Sequence, residues 1–256
     1  MSLGMFLTLF KSGTRFRNLQ NKLNKITKTV PVIIALIMIS GGVFAQHQVS
    51  ENAQYARKIS KEHAAKFGHL LIQDRGGRIK PVNTLTSKFI RKLSKKERFE
   101  GLNSDQLILS MMTFPDYWQA QPMIKVSHEA LKERFHIEDK YVSINKMFSK
   151  DYKYILATDV EEVNRKKARD RSKLDKDILA VDERMNIAYM IYTGSMLRLF
   201  PDSASVNHDW YTERSQPFPF HGIESLFVKT IMPMYLDAVE SATKSGDWSK
   251  ADEVLG

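Results

Sequence analysis

The sequence predicts a mainly helical extracytoplasmic domain with one small β-hairpin or sheet, preceded by a single transmembrane or signal helix. Three observations lead there. After Gln46 the apolar residues recur at three- and four-residue spacing, the spacing of one helix face. The one compact β signal is Leu70 to Val82, two short apolar runs around the turn residues Asp74-Arg75-Gly76-Gly77. An apolar run, Val30 to Ala45, follows an arm holding Lys11, Arg15, Arg17, Lys22, Lys25 and Lys28 and no acidic residue. The chain thus divides into a basic cytoplasmic arm, 1–29, an apolar segment, 30–45, and a helical domain, 46–256.

Composition narrows the function classes. The formal charge is +10, and the arm alone supplies more than half of it, so the domain is a poor nucleic-acid binder. There is no cysteine, which excludes a disulfide framework, a Cys-based zinc site and the CxxCH attachment of a c-type cytochrome. A bilayer core needs about 20 apolar residues, with ~17 as the lower limit, so Val30 to Ala45 is short for a span. A cleaved signal competes, with Val32 to Ile39 as its apolar core and Val43-Phe44-Ala45 before the cut. Both readings keep the arm in the cytoplasm and send Gln46 onward across the membrane.

Along the domain, Ala53, Ala56, Ile59, Ala64 and Phe67 mark a short helix, and the hairpin strands are expected at Leu70–Gln73 and Arg78–Val82. Asn83 is expected to cap the next helix, Ser94 and Glu97 to restart it, and Gly101 to close it. Asn103 and Gln106 form a capping box, with Leu102 and Leu107 as its hydrophobic staple, for a helix that ends before Pro115. Pro115 to Trp118 reads as an aromatic turn, and Pro122 to Val126 as a strand that can join the hairpin. Ser127 to Phe135 is helical. The longest element is expected from a Thr158–Glu161 capping box through a seam of Leu174, Ile178, Val181, Met185, Ala188, Tyr192, Met196 and Leu199, ending at Pro201. An irregular stretch follows to Phe220. Helices at Ile223–Ala242, kinked at Pro233, and at Trp248–Leu255 complete the chain.

Few residues suggest chemistry. His63 and His69 flank the hairpin, while His128 and His136 stand too far apart to chelate one ion. The run Arg165 to Lys176 is expected to satisfy itself on a solvated helix through the pairs Glu161–Arg165, Glu162–Lys166 and Arg171–Asp175, its alternative being to dock an acidic partner or lipid headgroups. Arg75, Arg78 and Lys80 cluster at the glycine pair, where they either decorate the turn or hold an anionic group such as a carboxylate. No nucleophile with a base, phosphate loop or paired-carboxylate site is present, so no catalytic residue is assigned and an independent enzyme is not expected.

The runs LLIQDRGGRIKPVNTL (70–85) and GLNSDQLILSMMTFPDYWQAQPMIKV (101–126) resemble the extracytoplasmic region of the large, fused cytochrome c biogenesis proteins of system II. The resemblance covers Lys58 to Val126 well and the remainder loosely. It implies a membrane-anchored domain on the outer side of the inner membrane that supports haem delivery and attachment to apocytochrome c. Its implied partners are the rest of the synthetase complex, the apocytochrome and the membrane. The family's tryptophan-rich haem-handling loop and its flanking histidines have no counterpart in these residues. The chain is therefore expected to be a piece or split relative of such a protein, binding no cofactor itself while the parent system handles haem. The competing class is a tethered or secreted helical binding module unrelated to haem.

Overall fold

Residues 53–151 and 153–256 are described by a computed structural model; the arm 1–29 and the segment 30–45 lie outside the described residues. Ser60 starts helix α1 (Lys61–His69), its Oγ accepting from the His63 N–H at 3.1 Å. The helical reading of Ala53 to Phe67 is therefore interrupted at residues 58–60, although Ala56, Ile59, Ala64 and Phe67 are all buried. Gly68 permits a close approach of α1 to its neighbours: a Cβ there would stand 2.7 Å from Asp105 Oδ2.

Strands β1 (Leu71–Gln73) and β2 (Ile79–Pro81) pair antiparallel, Leu71 opposite Pro81 and Gln73 opposite Ile79. Of the two turn glycines only Gly77 uses a left-handed backbone, at φ +79°. Helix α2 (Val82–Ser94) follows at once with Pro81 at its cap, so Asn83 sits in the first turn and caps nothing. The expected restart at Ser94 fails because that hydroxyl is used at the helix end: it donates to the Ile90 carbonyl and accepts from the Lys96 N–H, while Lys95 turns left-handed at φ +59°.

The Asn103 capping box forms as expected and begins α3 (Ser104–Thr113), with Gln106 N–H on Asn103 Oδ1 at 2.9 Å and the reciprocal bond at 3.1 Å. The aromatic turn is a short helix, α4 (Pro115–Ala120), that seats the fully buried Trp118 so that its Nε1–H donates to Ser110 Oγ at 2.7 Å. Strand β3 (Pro122–Lys125) does not join the hairpin. Helix α5 (Glu129–Phe135), capped by His128, reverses the chain and lays β4 (Tyr141–Ser143) antiparallel along β3.

The expected long helix is broken in two. Helix α6 (Ala157–Arg165) starts without a side-chain cap, and a 3₁₀ turn at Ala168–Asp170 separates it from α7 (Lys173–Tyr192). The cause is a capping box the sequence reading overlooked, Ser172 with Asp175, which fixes a new helix start inside the charge run. Lys166 then reaches across the break to both Asp175 oxygens, at 2.9 and 3.1 Å, and Arg171 Nε donates to the Val163 carbonyl, in place of the expected i,i+4 pairs. That lysine, with the Ser172 backbone N–H, holds the Asp175 carboxyl at about 2. Helix α7 buries Ile178, Val181, Met185, Ala188 and Ile191 against α2, α3 and β3, and stops at Gly194, φ +66°, well before Pro201.

Strands β5 (Phe200–Pro201) and β6 (Trp210–Tyr211) add a third two-stranded sheet, so the described residues hold three small antiparallel sheets where one was expected. Helix α8 (Gly222–Ser245) continues through Pro233 and is the longest of the described elements, at 24 residues against 20 for α7. Gly246 turns the chain into α9 (Ser249–Leu255); α8 packs on α3 and α9 on α1. Among the described residues no helix is long and apolar enough to cross a membrane.

Candidate functional site

The hairpin is built around a carboxylate. Asp74 Oδ1 accepts from the backbone N–H groups of Gly76 (2.8 Å) and Arg78 (3.1 Å), closing an Asx turn, while Oδ2 accepts from Lys80 Nζ at 3.1 Å. The Lys80 ammonium and those N–H groups hold the Asp74 carboxyl down to about 2. Of the three predicted cations, Lys80 is thus committed to the turn, with a side chain only 21% exposed. Arg78 stands out at 86% exposed, its Nε 3.7 Å from Asp74. Arg75 reaches toward α7, with Nη2 3.2 Å from Met190 Sδ. The three do not converge on one point, and the exposed Leu71 and Ile79 share the surface with them.

Beneath the turn lies Gln73, a buried amide fully used. Its Nε2 donates to the carbonyls of His208 (2.9 Å) and Gly77 (3.3 Å), and its Oε1 accepts from the Trp210 N–H at 2.8 Å. Arg198 completes the clamp by donating to the Trp210 carbonyl at 2.6 Å and to that of Asp74 at 3.5 Å. No local pattern marks either residue, because Gln73 meets His208 and Trp210, and Arg198 meets Asp74, across more than a hundred positions.

The histidines go elsewhere. His63 is 1% exposed and bridges three helices: Nδ1 lies 2.6 Å from Asp252 Oδ1 and Nε2 lies 2.8 Å from the Tyr235 hydroxyl. Because the Asp252 carboxyl is held low by Lys66 and His63, it is an acceptor; Nδ1 therefore carries the proton and Nε2 accepts from Tyr235. Burial pushes the His63 pKa down and Asp252 opposes it. His128 Nδ1 is taken by the Ala130 N–H as a helix cap, and His136 is the left-handed C-cap of α5. Among the described residues no three His, Cys, Asp or Glu side chains gather as a metal site. With both His63 nitrogens and the His128 Nδ1 already bonded, these residues do not fit haem iron as an axial set, and no step through haem is assigned to them.

A second feature centres on the middle of α8. An edge-on aromatic cluster joins Phe200, Tyr211, Phe218, Phe220 and Phe227 at centroid distances of 5.4–6.5 Å. The first half of the helix turns Ile223 (87% exposed) and Leu226 (65%) to solvent. Beside it, a cavity of about 310 Å³ opens between α8, the end of α7 and the residues after β6. Tyr192 was read from sequence as part of the core seam; it lines this cavity instead.

No family model matches the chain. The chain spans about a quarter (26%) of the length of the curated relative it matches. Over 239 residues, 92% of its own length, it is similar to Protein NrfI of Wolinella succinogenes, with 30% of positions identical.

Proposed function

We propose that this chain is an extracytoplasmic component of a system II cytochrome c maturation machinery, where it supports haem delivery and attachment to apocytochrome c. The similarity to NrfI carries the reading, because it runs along 92% of the chain and is not confined to one motif. The resemblance of residues 70–85 and 101–126 to the fused system II proteins falls within the same domain. In this reading the arm 1–29 stays in the cytoplasm, residues 30–45 anchor the chain in the inner membrane, and the helical domain works on the outer side. Its partners are the remainder of the synthetase complex and the apocytochrome, and the lyase chemistry belongs to other parts of the system. The hairpin offers a contact at Arg78, 86% exposed, which presents a cation to a carboxylate, while Lys80 holds Asp74 and Arg75 reaches toward Met190.

The test is a strain lacking this gene, complemented with wild type, with R75Q/R78Q/K80Q, or with G77V. Covalent cytochrome is read from haem-stained gels beside the level of the chain itself. Loss of stained cytochrome in the deletion is expected, and full staining there refutes the function. The triple Gln chain should stain weakly relative to its own level, which is read beside the stain because Lys80 also holds Asp74; normal staining removes the hairpin contact from the proposal. G77V should lower the chain's own level, since a β-branched residue resists φ +79°. A reporter active only in the cytoplasm, fused after Gly256, should stay silent, and its activity would overturn the topology.

A further inference from the structure

The break between α6 and α7 leaves the charge run 165–176 unable to satisfy itself along one helix. Arg165 and Lys167 before the break, and Lys173 and Lys176 after it, stand exposed and make no ion pair or side-chain hydrogen bond with any described residue. Arg169 meets only its neighbour Asp170, at 3.6 Å. The nearby carboxylates are engaged elsewhere or stand apart. Asp175 is taken by Lys166, Asp177 accepts from the backbone N–H groups of Ser127 and His128, and Glu161 and Glu162 stay exposed on α6.

The fold gains nothing from these free cations. Lys173 and Lys176 occupy the first four positions of α7, the positive end of a 20-residue helix, where the backbone dipole favours the opposite charge. The run sets seven Lys or Arg against two Asp within twelve residues, a net +5, while the whole of 46–256 carries +4. Away from the run the domain is therefore close to neutral, and its positive field is concentrated at this one place.

The run is also pinned. Lys166 crosses the break to Asp175, Arg171 Nε donates to the Val163 carbonyl at 3.3 Å, and Ser172 Oγ accepts from the Asp175 N–H at 3.1 Å. Cations held at fixed spacing suit carboxylates whose spacing is fixed in turn, because little ordering remains to be done on binding. A bilayer asks for no such spacing and is met through apolar side chains that enter it. Residues 165–176 contain no aromatic side chain. The large exposed apolar side chains of the described residues lie elsewhere, on the first hairpin, the last turn of α7, the β5–β6 loop and α8.

We propose that the end of α6, the connector 166–172 and the start of α7 form a docking face for an acidic segment of a partner polypeptide, whose carboxylates meet Arg165, Lys167, Lys173 and Lys176. The face is separate from the hairpin, and it does not rest on the maturation function proposed above.

The experiment titrates a peptide of alternating Glu and Ala into the full 256-residue chain in detergent micelles by calorimetry, beside the same peptide with Gln for Glu. Saturable binding of the acidic peptide is expected, falling severalfold as salt rises toward physiological strength. R165Q/K167Q/K173Q/K176Q should weaken it about tenfold or more, while K22Q/K25Q/K28Q in the basic arm should leave it within about twofold. No binding, equal binding of the Gln peptide, or loss in the arm variant alone overturns the proposal. The connector variant should melt at or above the wild-type temperature, and a lower melting point would make these cations structural and overturn it as well. The chain has no cysteine, so a fluorophore on Ala168→Cys reports the connector alone. In the chain reconstituted into phosphatidylglycerol vesicles, quenching of that fluorophore by nitroxide-labelled headgroups would assign the face to the bilayer, and the proposal fails.

Discussion

Replacing His63 by Phe tests the polar contacts that fasten α1 to α8 and α9. The ring volume and the contact with Trp248, at 4.8 Å between centroids, are kept, so little cavity term enters. Two hydrogen bonds are lost. The one to Asp252 is charge-assisted, a class worth ~1.5–3 kcal/mol, but Asp252 is 31% exposed and retains Lys66 at 2.6 Å, which places it at the low end. The Tyr235 hydroxyl is left in a residue only 2% exposed, and an orphaned buried group costs ~1–3 kcal/mol. The expected loss is about 2–4 kcal/mol at pH 8. Its pH dependence has a definite sign. Burial depresses the His63 pKa in the fold, so its contribution is complete above the unfolded value near ~6.5 and declines as pH falls below that. The gap between wild type and variant should therefore narrow on acidification. Urea titrations followed by circular dichroism and tryptophan fluorescence at pH 8 and pH 5.5 measure it. A loss under about 1 kcal/mol at pH 8, or a gap that widens toward pH 5.5, would refute the reasoning.

Two further outcomes are expected. Met185→Ala, at a site 4% exposed on α7, should cost ~2–5 kcal/mol in denaturant, while Arg169→Ala, 79% exposed, should stay within about 0.5; equal losses would mean that the charge run is buried in an interface. Burial pushes the Asp182 carboxyl up to about 6, with hydrogen bonds from Tyr154 and Asn186 offsetting part of the rise. A raised folded pKa gives stability that is present below the unfolded value of ~3.9 and lost as pH rises through 6, so Asp182→Asn should stabilise the chain at pH 8 by about 1–3 kcal/mol and much less at pH 4. A gain of the same size at both pH values would sink that account.

Elements governed by local chemistry were legible in the sequence. Asn103 and Gln106 begin α3 as their spacing requires, and the buried positions of the α7 seam follow its three-and-four rhythm as far as Ala188. Errors arose where a competing local signal was outweighed or overlooked. The Ser172–Asp175 box sits inside a charge run that also fits a continuous helix, and only the commitment of Lys166 to Asp175 shows which pattern holds. Pairing between β3 and β4 depends on the reversal through α5, which no residue of Pro122–Val126 announces. The site was less legible than the fold. Arg75, Arg78 and Lys80 were found as a charge cluster, but the carboxylate that holds Lys80 and stands near Arg78, Asp74, read only as a turn residue. The cavity beside α8 draws its lining from segments between Met112 and Glu240, and sequence spacing carries no trace of such an assembly.

The Gln73 clamp bears on how the hairpin can be handled outside this chain. Its amide is shared among the carbonyls of Gly77 and His208 and the N–H of Trp210, so the turn is moulded partly by residues far along the sequence. A synthetic peptide copying residues 67–93 contains every letter of the recognisable run yet lacks half of the mould. Antibodies raised against such a peptide, or binders selected on it, would learn a shape the protein does not display. A graft that carries residues 198–211 together with the hairpin would present the authentic one.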